Sequence, residues 1–314
     1  MRTKNPPGGD NSRVRAYAAT VVVLVGLGTA CGAEERPTAA DPEGCPAEIA
    51  PTESMDVSWA PRSSRLAFST VERGIFVIDA RNCAVKQVTH ARFHFTPDWS
   101  PDERQIVFDR TLAPGSRSDL LISDLDGGEA RVLTHGSLDQ FPSWSPRGDQ
   151  IAFTRRADIY VVQPNGRGLR RLTSAGYNTQ PDWSPDGTAI AWTCEDAVGD
   201  FPAICTMDAD GSHKRRVFEP STGGAFGGPA WSPDGRSIAF DGVSSYDPPP
   251  TLMIGSAQGG RIRTFPLLSP HADSTPTWSP NGDQIAFVGD AGTWENLYVV
   301  RPDETGLRAL TESS

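Results

Sequence analysis

The chain has 314 residues, of which 31 are glycine and 27 are proline. This composition is typical of many short strands joined by tight turns, and the length allows two ordinary domains or one large all-β domain. The formal net charge of −10 argues against a protein that binds nucleic acid through phosphate contacts.

The first thirty residues predict an export signal. Four basic residues precede an apolar run from Ala16 to Ala30, which is shorter than the roughly 20 residues of a membrane-spanning helix. Small residues stand before Cys31, as in bacterial lipoprotein signals, where this cysteine becomes the lipidated first residue. We therefore expect residues 1–30 to be a signal peptide and Cys31 to carry lipid, with plain secretion or an uncleaved anchor as alternatives. Cleavage would leave 25 basic and 38 acidic residues, a net charge of −13.

The next segment, residues 31–54, is polar and shows neither the period of a strand nor that of a helix. A segment of this kind does not bury enough apolar surface to fold by itself. We expect it to be a disordered tether that holds the following domain away from the membrane.

The remainder of the chain is an internal repeat. A pattern close to Trp-Ser-Pro-Asp-Gly, two variable residues and Ile-Ala-Phe occurs six times at intervals of 39 to 48 residues, with departures mainly in copies one and two. Each copy continues with an apolar strand, a Gly-containing turn and a basic stretch that ends in a pair such as Leu172-Thr173. The copies begin at Trp59, Trp99, Trp144, Trp183, Trp231 and Trp278. This period predicts an all-β domain over 55–314, a six-bladed β-propeller of four-stranded antiparallel blades.

Each part of the repeat has a physical role in such a blade. Pro fixes φ at the first turn position, and Gly supplies the positive φ that closes the Ser-Pro-Asp-Gly turn between the first two strands. One four-stranded sheet cannot cover its own faces, but six sheets packed radially cover one another. Every copy supplies all four of its strands, so we expect no exchanged strand at the closure of the ring.

Residues 181–192, Pro-Asp-Trp-Ser-Pro-Asp-Gly-Thr-Ala-Ile-Ala-Trp, resemble the TolB-type propeller repeat, as do the downstream residues 207–211. The resemblance covers about 55–314 and implies the propeller fold. It implies little about function, because this repeat also occurs in partner-binding proteins and in accessory domains of peptidases. TolB itself carries an additional N-terminal α/β domain. We expect no such domain between Cys31 and the first blade, and a TolB-like envelope role therefore does not follow.

With Cys31 set aside, the chain has four further cysteines. An even number in an exported protein indicates disulfides, although three pairings and four free thiols remain possible. We favour Cys194–Cys205, because these residues lie on paired second and third strands of copy four. We also favour Cys45–Cys83, which would hold the incoming chain against the first blade. The spacings do not fit a zinc site.

The two ends of the predicted disc differ. The Ser-Pro-Asp-Gly turns and the turns between third and fourth strands share one end, here the turn end, and are short. Longer and less regular loops gather at the other end, here the loop-rich end. Aromatic residues on such loops are candidates for binding a partner, with capping of the core as the alternative. The candidates are Phe95, Phe141, Tyr177, Phe226 and Trp294.

Two sets of polar residues are expected near the central channel. The first stands three positions before each Pro-x-Trp and is expected to surround the channel mouth. It comprises His94, Asp139, Asn178 and Asp273. The second is the middle position of Pro-x-Trp, where Asp98 and Asp182 could face the channel. Such carboxylates could hold a cation or a basic peptide segment, and capping of turns is the alternative.

Signatures of enzymes are weak. The sequence has no Gly-x-Ser-x-Gly motif, no phosphate-binding loop and no dinucleotide fingerprint, and its five histidines lack metal-ligand spacing. The sequence therefore predicts an exported, lipid-anchored, monomeric binding module for a protein, peptide or glycan at the cell envelope, without a cofactor. The alternative is a propeller hydrolase or lyase with a metal of unknown identity in the central channel.

Overall fold

A computed structural model describes residues 54–112, 117–135, 138–196, 201–220, 223–243, 251–265, 271–272, 275–290 and 295–311. The chain divides into two compact units, Met1–Pro42 and Glu43–Ser314, and all described residues belong to the second. Among them no helix occurs that could cross a membrane. The signal peptide, Cys31 and nearly all of the predicted tether lie outside the described residues, so these expectations stay predictions.

The described residues form six antiparallel sheets. Blade one comprises β1 (Ser54–Trp59), β2 (Arg65–Thr70), β3 (Gly74–Asp79) and β4 (Val85–Gln87). Blade two comprises β5 (His94–Trp99), β6 (Gln105–Thr111), β7 (Ser118–Asp124) and β8 (Arg131–Val132). Blade three comprises β9 (Asp139–Trp144), β10 (Ile151–Arg155), β11 (Asp158–Val162) and β12 (Arg170–Arg171).

Blade four comprises β13 (Tyr177–Trp183), β14 (Ala189–Glu195), β15 (Ala203–Asp208) and β16 (Arg215–Phe218). Blade five comprises β17 (Ala225–Trp231), β18 (Ser237–Val243), β19 (Thr251–Ser256) and β20 (Ile262–Thr264). Blade six comprises β21 (His271–Ala272), β22 (Thr277–Trp278), β23 (Ile285–Asp290), β24 (Glu295–Val300) and β25 (Arg308–Ala309). In blade six the innermost strand is divided, since β21 and β22 both pair with β23. The predicted six-bladed propeller of four-stranded blades is confirmed.

The Ser-Pro-Asp-Gly turn of the repeat folds as its residues predict. In blade four the Ser184 hydroxyl donates to Asp186 at 2.6 Å, and the Gly187 N–H donates to the Ser184 carbonyl at 2.8 Å. Gly187 has a φ of +67°. In blade two Glu103 replaces this glycine at a φ of +58°, which costs about 1–2 kcal/mol for a residue with a Cβ. Its carboxylate binds Arg65 of blade one at 2.6 Å, and this ion pair offsets part of that cost.

The Leu-Thr ending has a local partner as well. The Thr173 hydroxyl accepts a hydrogen bond from the Ile159 N–H at 2.9 Å, so it fastens the end of the outermost strand to the start of the third. Thr89, Thr134 and Thr311 make the same contact at 2.9 to 3.0 Å.

The core lies in the seams between blades. At the closure of the ring, Leu66 and Phe68 of blade one pack in one cluster with Ala286, Val288 and Leu297 of blade six. Within the described ranges, all strands of both blades come from their own segments of the chain, so no strand is exchanged there, as predicted.

Arginines on the outermost strands join neighbouring blades at the rim. Each donates a hydrogen bond to a backbone carbonyl in the turn between the third and fourth strands of the next blade. The pairs are Arg131 with Pro164 at 2.6 Å, Arg170 with Asp210 at 2.7 Å, Arg215 with Ala257 at 2.9 Å, Arg263 with Pro302, and Arg308 with Ala80 at 3.4 Å. The last pair joins blade six to blade one. The basic stretch of the repeat therefore has a structural use.

The cysteines agree in part with the prediction. Cys194 on β14 and Cys205 on β15 form a disulfide with a Cα–Cα distance of 5.9 Å, so this pairing is confirmed. Cys83 is also disulfide-bonded. Cys45 lies outside the described residues, and its pairing with Cys83 stays a prediction.

Candidate functional site

The innermost strands surround a cavity of about 240 Å³ on the axis of the disc. Its wall is built from β1, β5, β9, β13, the end of β17 and the segment 275–278. Among the described lining residues there are three carboxylates, Asp56, Asp98 and Asp182, and no lysine, arginine or histidine. The channel is therefore an acidic site without a basic group of its own.

The middle residues of the Pro-x-Trp motifs line this channel, as predicted, together with their counterpart in blade one. They are Ser58, Asp98, Ser143, Asp182, Ala230 and Thr277. Four of them accept a hydrogen bond from the backbone N–H of the repeat tryptophan in the next blade around the ring. The pairs are Asp98 with Trp144 at 2.5 Å, Ser143 with Trp183 at 3.4 Å, Asp182 with Trp231 at 2.7 Å, and Thr277 with Trp59 at 3.1 Å. Asp98 and Asp182 thus have a structural role, because they join neighbouring blades.

A second set of residues, here the mouth ring, lies two positions before this layer and closer to the loop-rich end. It comprises Asp56, Thr96, Phe141, Gln180, Gly228 and Thr275. All except Gly228 line the cavity. In the first five blades the strand register shifts at this position. Such β-bulges re-aim side chains and are frequent beside binding sites.

The backbone of the mouth ring is strained in three blades. Thr96, Phe141 and Gln180 have φ values of +45°, +52° and +55°. Gly228 adopts a φ of +55° in blade five, where the absence of a Cβ makes this conformation easy. A non-glycine residue in this region costs about 1–3 kcal/mol, and such strain clusters at functional sites. Three blades keep a side chain over the channel in spite of that cost.

In blades two, three and four the residue after the Ile-Ala-Phe motif supports the mouth ring from the second strand, and the equivalent residues of blades one, five and six are Ser69, Asp241 and Val288. The Thr154 hydroxyl accepts from the Gln180 N–H at 3.1 Å, and the Thr193 hydroxyl accepts from the Gly228 N–H at 3.2 Å. Thr193 also donates to the Gln180 side-chain oxygen at 3.0 Å. In blade two the same position is Asp109, which accepts from the Thr96 hydroxyl. Neutral hydroxyls therefore satisfy the bulges of blades four and five, whereas a carboxylate stands in blade two.

The carboxyl groups of the channel titrate at unusually high pH. Burial raises the pKa of Asp109 to about 7, and the nearby charge of Asp56 adds to the shift, while hydrogen bonds from Thr96 and from the Phe141 backbone oppose it. Burial also raises the pKa of Asp56 and Asp98 to about 6 and that of Asp182 to about 7. Asp56, Asp98 and Asp182 are only half-buried, but their open surface faces the enclosed channel and not bulk water.

A family model described as "TolB beta propeller domain" matches residues 155–314, about half of the chain. The chain belongs to the TolB β-propeller domain family. A second model, the N-terminal region of dipeptidyl peptidase IV, matches residues 100–184. Among curated proteins, the Tol-Pal system protein TolB of Myxococcus xanthus is 41% identical over 61 residues, which are 19% of this chain and 14% of that protein. The match therefore spans a small part of either molecule.

Solved structures confirm the TolB-type fold. TolB from Acinetobacter baumannii superimposes with a TM-score of 0.67 at 23% identity, over 82% of this chain and 63% of that one. A putative TolB from Agrobacterium tumefaciens has a TM-score of 0.63 at 21% sequence identity, over 79% of this chain and 90% of that one. An oligogalacturonate lyase in complex with manganese has a TM-score of 0.56 at 16% sequence identity, over 83% of this chain and 78% of that one. At these identities the likeness concerns the fold alone.

The residues predicted to surround the channel mouth of this TolB-family propeller do not line it where the structure describes them. His94, Asp139 and Asn178 begin their strands and are buried inside their own blades. Asp139 accepts two hydrogen bonds from Arg155 at 2.7 Å, and Asn178 accepts one from the Trp192 indole at 2.8 Å.

His94 shows the same behaviour. Its Nδ1 lies 3.0 Å from the Thr89 hydroxyl, and its ring centroid is 4.7 Å from that of Phe108. Burial and the nearby Arg110 lower the pKa of His94 to about 4, so it is neutral at physiological pH. The expected polar ring does not form among these three residues, because the bulge turns the start of each strand away from the channel. Asp273 lies outside the described residues.

The aromatic candidates divide into two groups. Phe226 is buried and packs 5.1 Å from Phe240, so it caps the core, and Phe95 is half-buried beside Phe93. Phe141 lines the channel and Tyr177 is 45% exposed, so these two can contact a ligand. Trp294 lies outside the described residues.

Sequence reasoning missed Asp56, Thr96, Gln180 and Asp109. The signals were present, since the first three occupy one fixed position before the repeat tryptophan and Asp109 follows Ile-Val-Phe directly. Among the described residues, no group of three His, Cys, Asp or Glu side chains could hold a metal ion.

Proposed function

We propose that this TolB-family propeller is an exported, lipid-anchored binding module that takes up a basic segment of a protein or peptide at its loop-rich end, with the channel mouth at the centre of the site. The observation that carries the proposal is the mouth ring. Strained bulges hold Thr96, Phe141 and Gln180 over an acidic cavity that contains no basic residue among those described.

The chemistry of the channel favours a basic ligand. Asp56, Asp98 and Asp182 give the wall a negative potential, which a low-dielectric cleft concentrates. An acidic glycan would meet repulsion there, whereas a lysine or arginine side chain would find acceptors. We therefore favour a peptide segment over a glycan.

The size of the channel favours a single side chain or chain end. Its volume of about 240 Å³ is below the roughly 300–1,000 Å³ of pockets for drug-sized ligands. The rest of a partner would contact the surrounding loop-rich end, where Tyr177 is exposed. Rigid aromatic side chains of this kind are frequent anchors in interfaces.

Binding to an array of Lys- and Arg-containing peptides tests this proposal. We expect Phe141→Ala to weaken binding by about 10-fold or more, as truncation of an interface anchor does. Tyr177→Ala should weaken it as well. Leu307→Ala serves as control, because Leu307 is 40% exposed at the outer rim. Absence of peptide binding, or equal binding by Phe141→Ala and the wild type, would overturn the proposal. Lyase or hydrolase activity that a chelator abolishes would support the metal-dependent alternative instead.

Export and lipid attachment rest on the sequence of residues 1–31 and on the Cys194–Cys205 disulfide, which suits an oxidising compartment. Fractionation of cells that express the full chain tests this part. We expect the wild type in the membrane fraction and Cys31→Ser outside it. Wild-type protein that stays in the cytosol would contradict export.

A further inference from the structure

Asp109 on β6 is a buried carboxylate whose bonding is incomplete. The residue is only 1% exposed, and it accepts hydrogen bonds from the Thr96 hydroxyl, at Oδ1, and from the Phe141 backbone. In the described part of the structure its Oδ2 has no hydrogen-bond partner. Buried polar atoms nearly always have partners, so an exception of this kind requires an explanation.

Two neighbouring blades show that the fold can do without an acid at this position, although blade five carries Asp241 there. Thr154 and Thr193 occupy the position of Asp109 in blades three and four, and they accept the N–H groups of the adjacent bulges. Thr275 in blade six occupies the mouth-ring position that Asp56 has in blade one. Neutral threonines therefore perform the structural task in blades three and four, so the bulge alone does not account for an acid in blade two.

Asp56 and Asp109 lie on either side of Thr96. Asp56 lines the cavity and accepts a hydrogen bond from the Thr96 backbone, and its charge adds to the larger effect of burial in raising the pKa of Asp109. Since the Thr96 hydroxyl donates its proton to Asp109, its lone pairs are free to accept a hydrogen bond from the cavity. A ligand in the mouth would meet the Asp56 carboxylate and the Thr96 oxygen, and the Thr96 hydroxyl is itself hydrogen-bonded to Asp109.

Such a site fits a small cation that donates hydrogen bonds. An ammonium group has three donors on one compact charge, whereas Ca²⁺ takes about 6–8 oxygen ligands. No trio of acidic or imidazole ligands exists among the described residues. We infer that Asp56, Thr96 and Asp109 form a binding site for a protonated primary amine at the channel mouth. This inference deepens the proposed function, because a lysine side chain or a peptide N-terminus would supply the amine.

The test uses n-butylamine as the probe and follows its binding to the full chain by ligand-observed NMR and by thermal shift. We expect binding by the wild type and a loss of about 10-fold or more in affinity in both Asp56→Thr and Asp109→Thr, as for removal of a charged partner. Asp303→Asn removes one charge from an exposed turn and should bind like the wild type. Comparison of acetyl-Ala-Lys-Ala-amide with Ala-Ala-Ala-amide identifies the side chain or the chain end as the source of the amine.

The outcomes separate the amine site from the binding role. Equal affinity of butylamine for the wild type and both threonine variants overturns the amine site, as does displacement of butylamine by micromolar calcium. Peptide binding that Asp109→Thr retains and Phe141→Ala loses overturns the amine site and keeps the proposed function. Butylamine binding without any peptide binding keeps the amine site and overturns the proposed function. The threonine variants should melt no lower than the wild type, which confirms that any lost affinity does not come from unfolding.

Discussion

The stability of the propeller should fall as the pH rises from 5 to 7, and Asp109 should be a main cause. Its pKa is about 7 in the folded protein against 3.8 as the ordinary value. Between these values the folded protein holds a proton on Asp109 that the unfolded chain has released. Since the folded state binds more protons, the free energy of unfolding decreases with pH in this window.

The size of the effect follows from the pKa. From pH 5 to pH 7 the loss for Asp109 alone is about 2–3 kcal/mol, because one pH unit corresponds to about 1.4 kcal/mol per proton. Asp182, with a pKa of about 7, and Asp56 and Asp98, with pKa values of about 6, act in the same direction. His94 acts in the opposite direction, because burial and the nearby Arg110 lower its pKa to about 4, and it offsets about 2 kcal/mol of the loss. A change of 1 kcal/mol shifts Tm by roughly 2–4 °C in a domain of this size. The melting temperature should therefore be several degrees lower at pH 7 than at pH 5.

Thermal unfolding of the wild type and Asp109→Thr at pH 5, 6 and 7 checks this prediction. The variant should melt higher than the wild type at pH 7 and should show a shallower dependence on pH. Asp303→Asn is the control, because a hydrogen bond from Thr305 keeps the pKa of Asp303 low and its charge is the same in both states over this range. Equal slopes for the wild type and Asp109→Thr would refute the reasoning.

Below pH 4 the free energy of unfolding should depend on pH in the opposite direction and fall as the pH falls. A hydrogen bond from Arg81 lowers the pKa of Asp79 to about 2, and serine hydroxyls lower the pKa of Asp102, Asp186 and Asp234 in the repeat turns. These groups stabilise the fold above their unfolded pKa, and that stabilisation is lost as the pH falls through the folded values. Maximal stability should therefore lie near pH 4–5.5.

Three further changes should alter stability. Ala230→Ser should raise it by about 0.5–1 kcal/mol in chemical denaturation, because it offers the Trp278 N–H the acceptor that other blades provide, and a decrease would contradict this. Cys194→Ser should cost about 2–3 kcal/mol, because it opens an 11-residue loop, and an unchanged melting temperature would disprove it. Arg155→Ala should cost about 3–5 kcal/mol, because Asp139 is fully buried, and adding Asp139→Ala should recover part of the loss.

The fold could be predicted from the sequence because its determinants are local. Each Ser-Pro-Asp-Gly turn is closed by its own residues, as the contact between Ser184 and Asp186 shows. The Leu-Thr pair is fastened to the adjacent strand within the same blade, as Thr173 shows. Six repetitions of such signals determine the number of blades, and hydrophobic periodicity determines their strands.

The mouth of the channel could not be predicted in the same way, because a bulge interrupts the alternation of side chains. In β5, Phe95 lies opposite Asp109 and Asp98 lies opposite Val107, so three steps on one strand match two on the other. Without the bulge, His94 would share a face with Asp98. With it, His94 turns into the core, and Thr96 takes the place at the channel.

The blades nevertheless provide a comparison that a single-domain fold lacks. The first five blades share the same bulge and all six share the same kind of seam, so residues at equivalent positions can be compared between blades. Thr154 and Thr193 accept hydrogen bonds from bulge N–H groups, and Gly228 adopts the positive φ of the mouth ring in blade five without a Cβ. Asp109 occupies the same position as these threonines, but its Oδ2 has no hydrogen-bond partner among the described residues and its pKa is raised. This difference from Thr154 and Thr193 is the reason we propose the amine site between blades one and two.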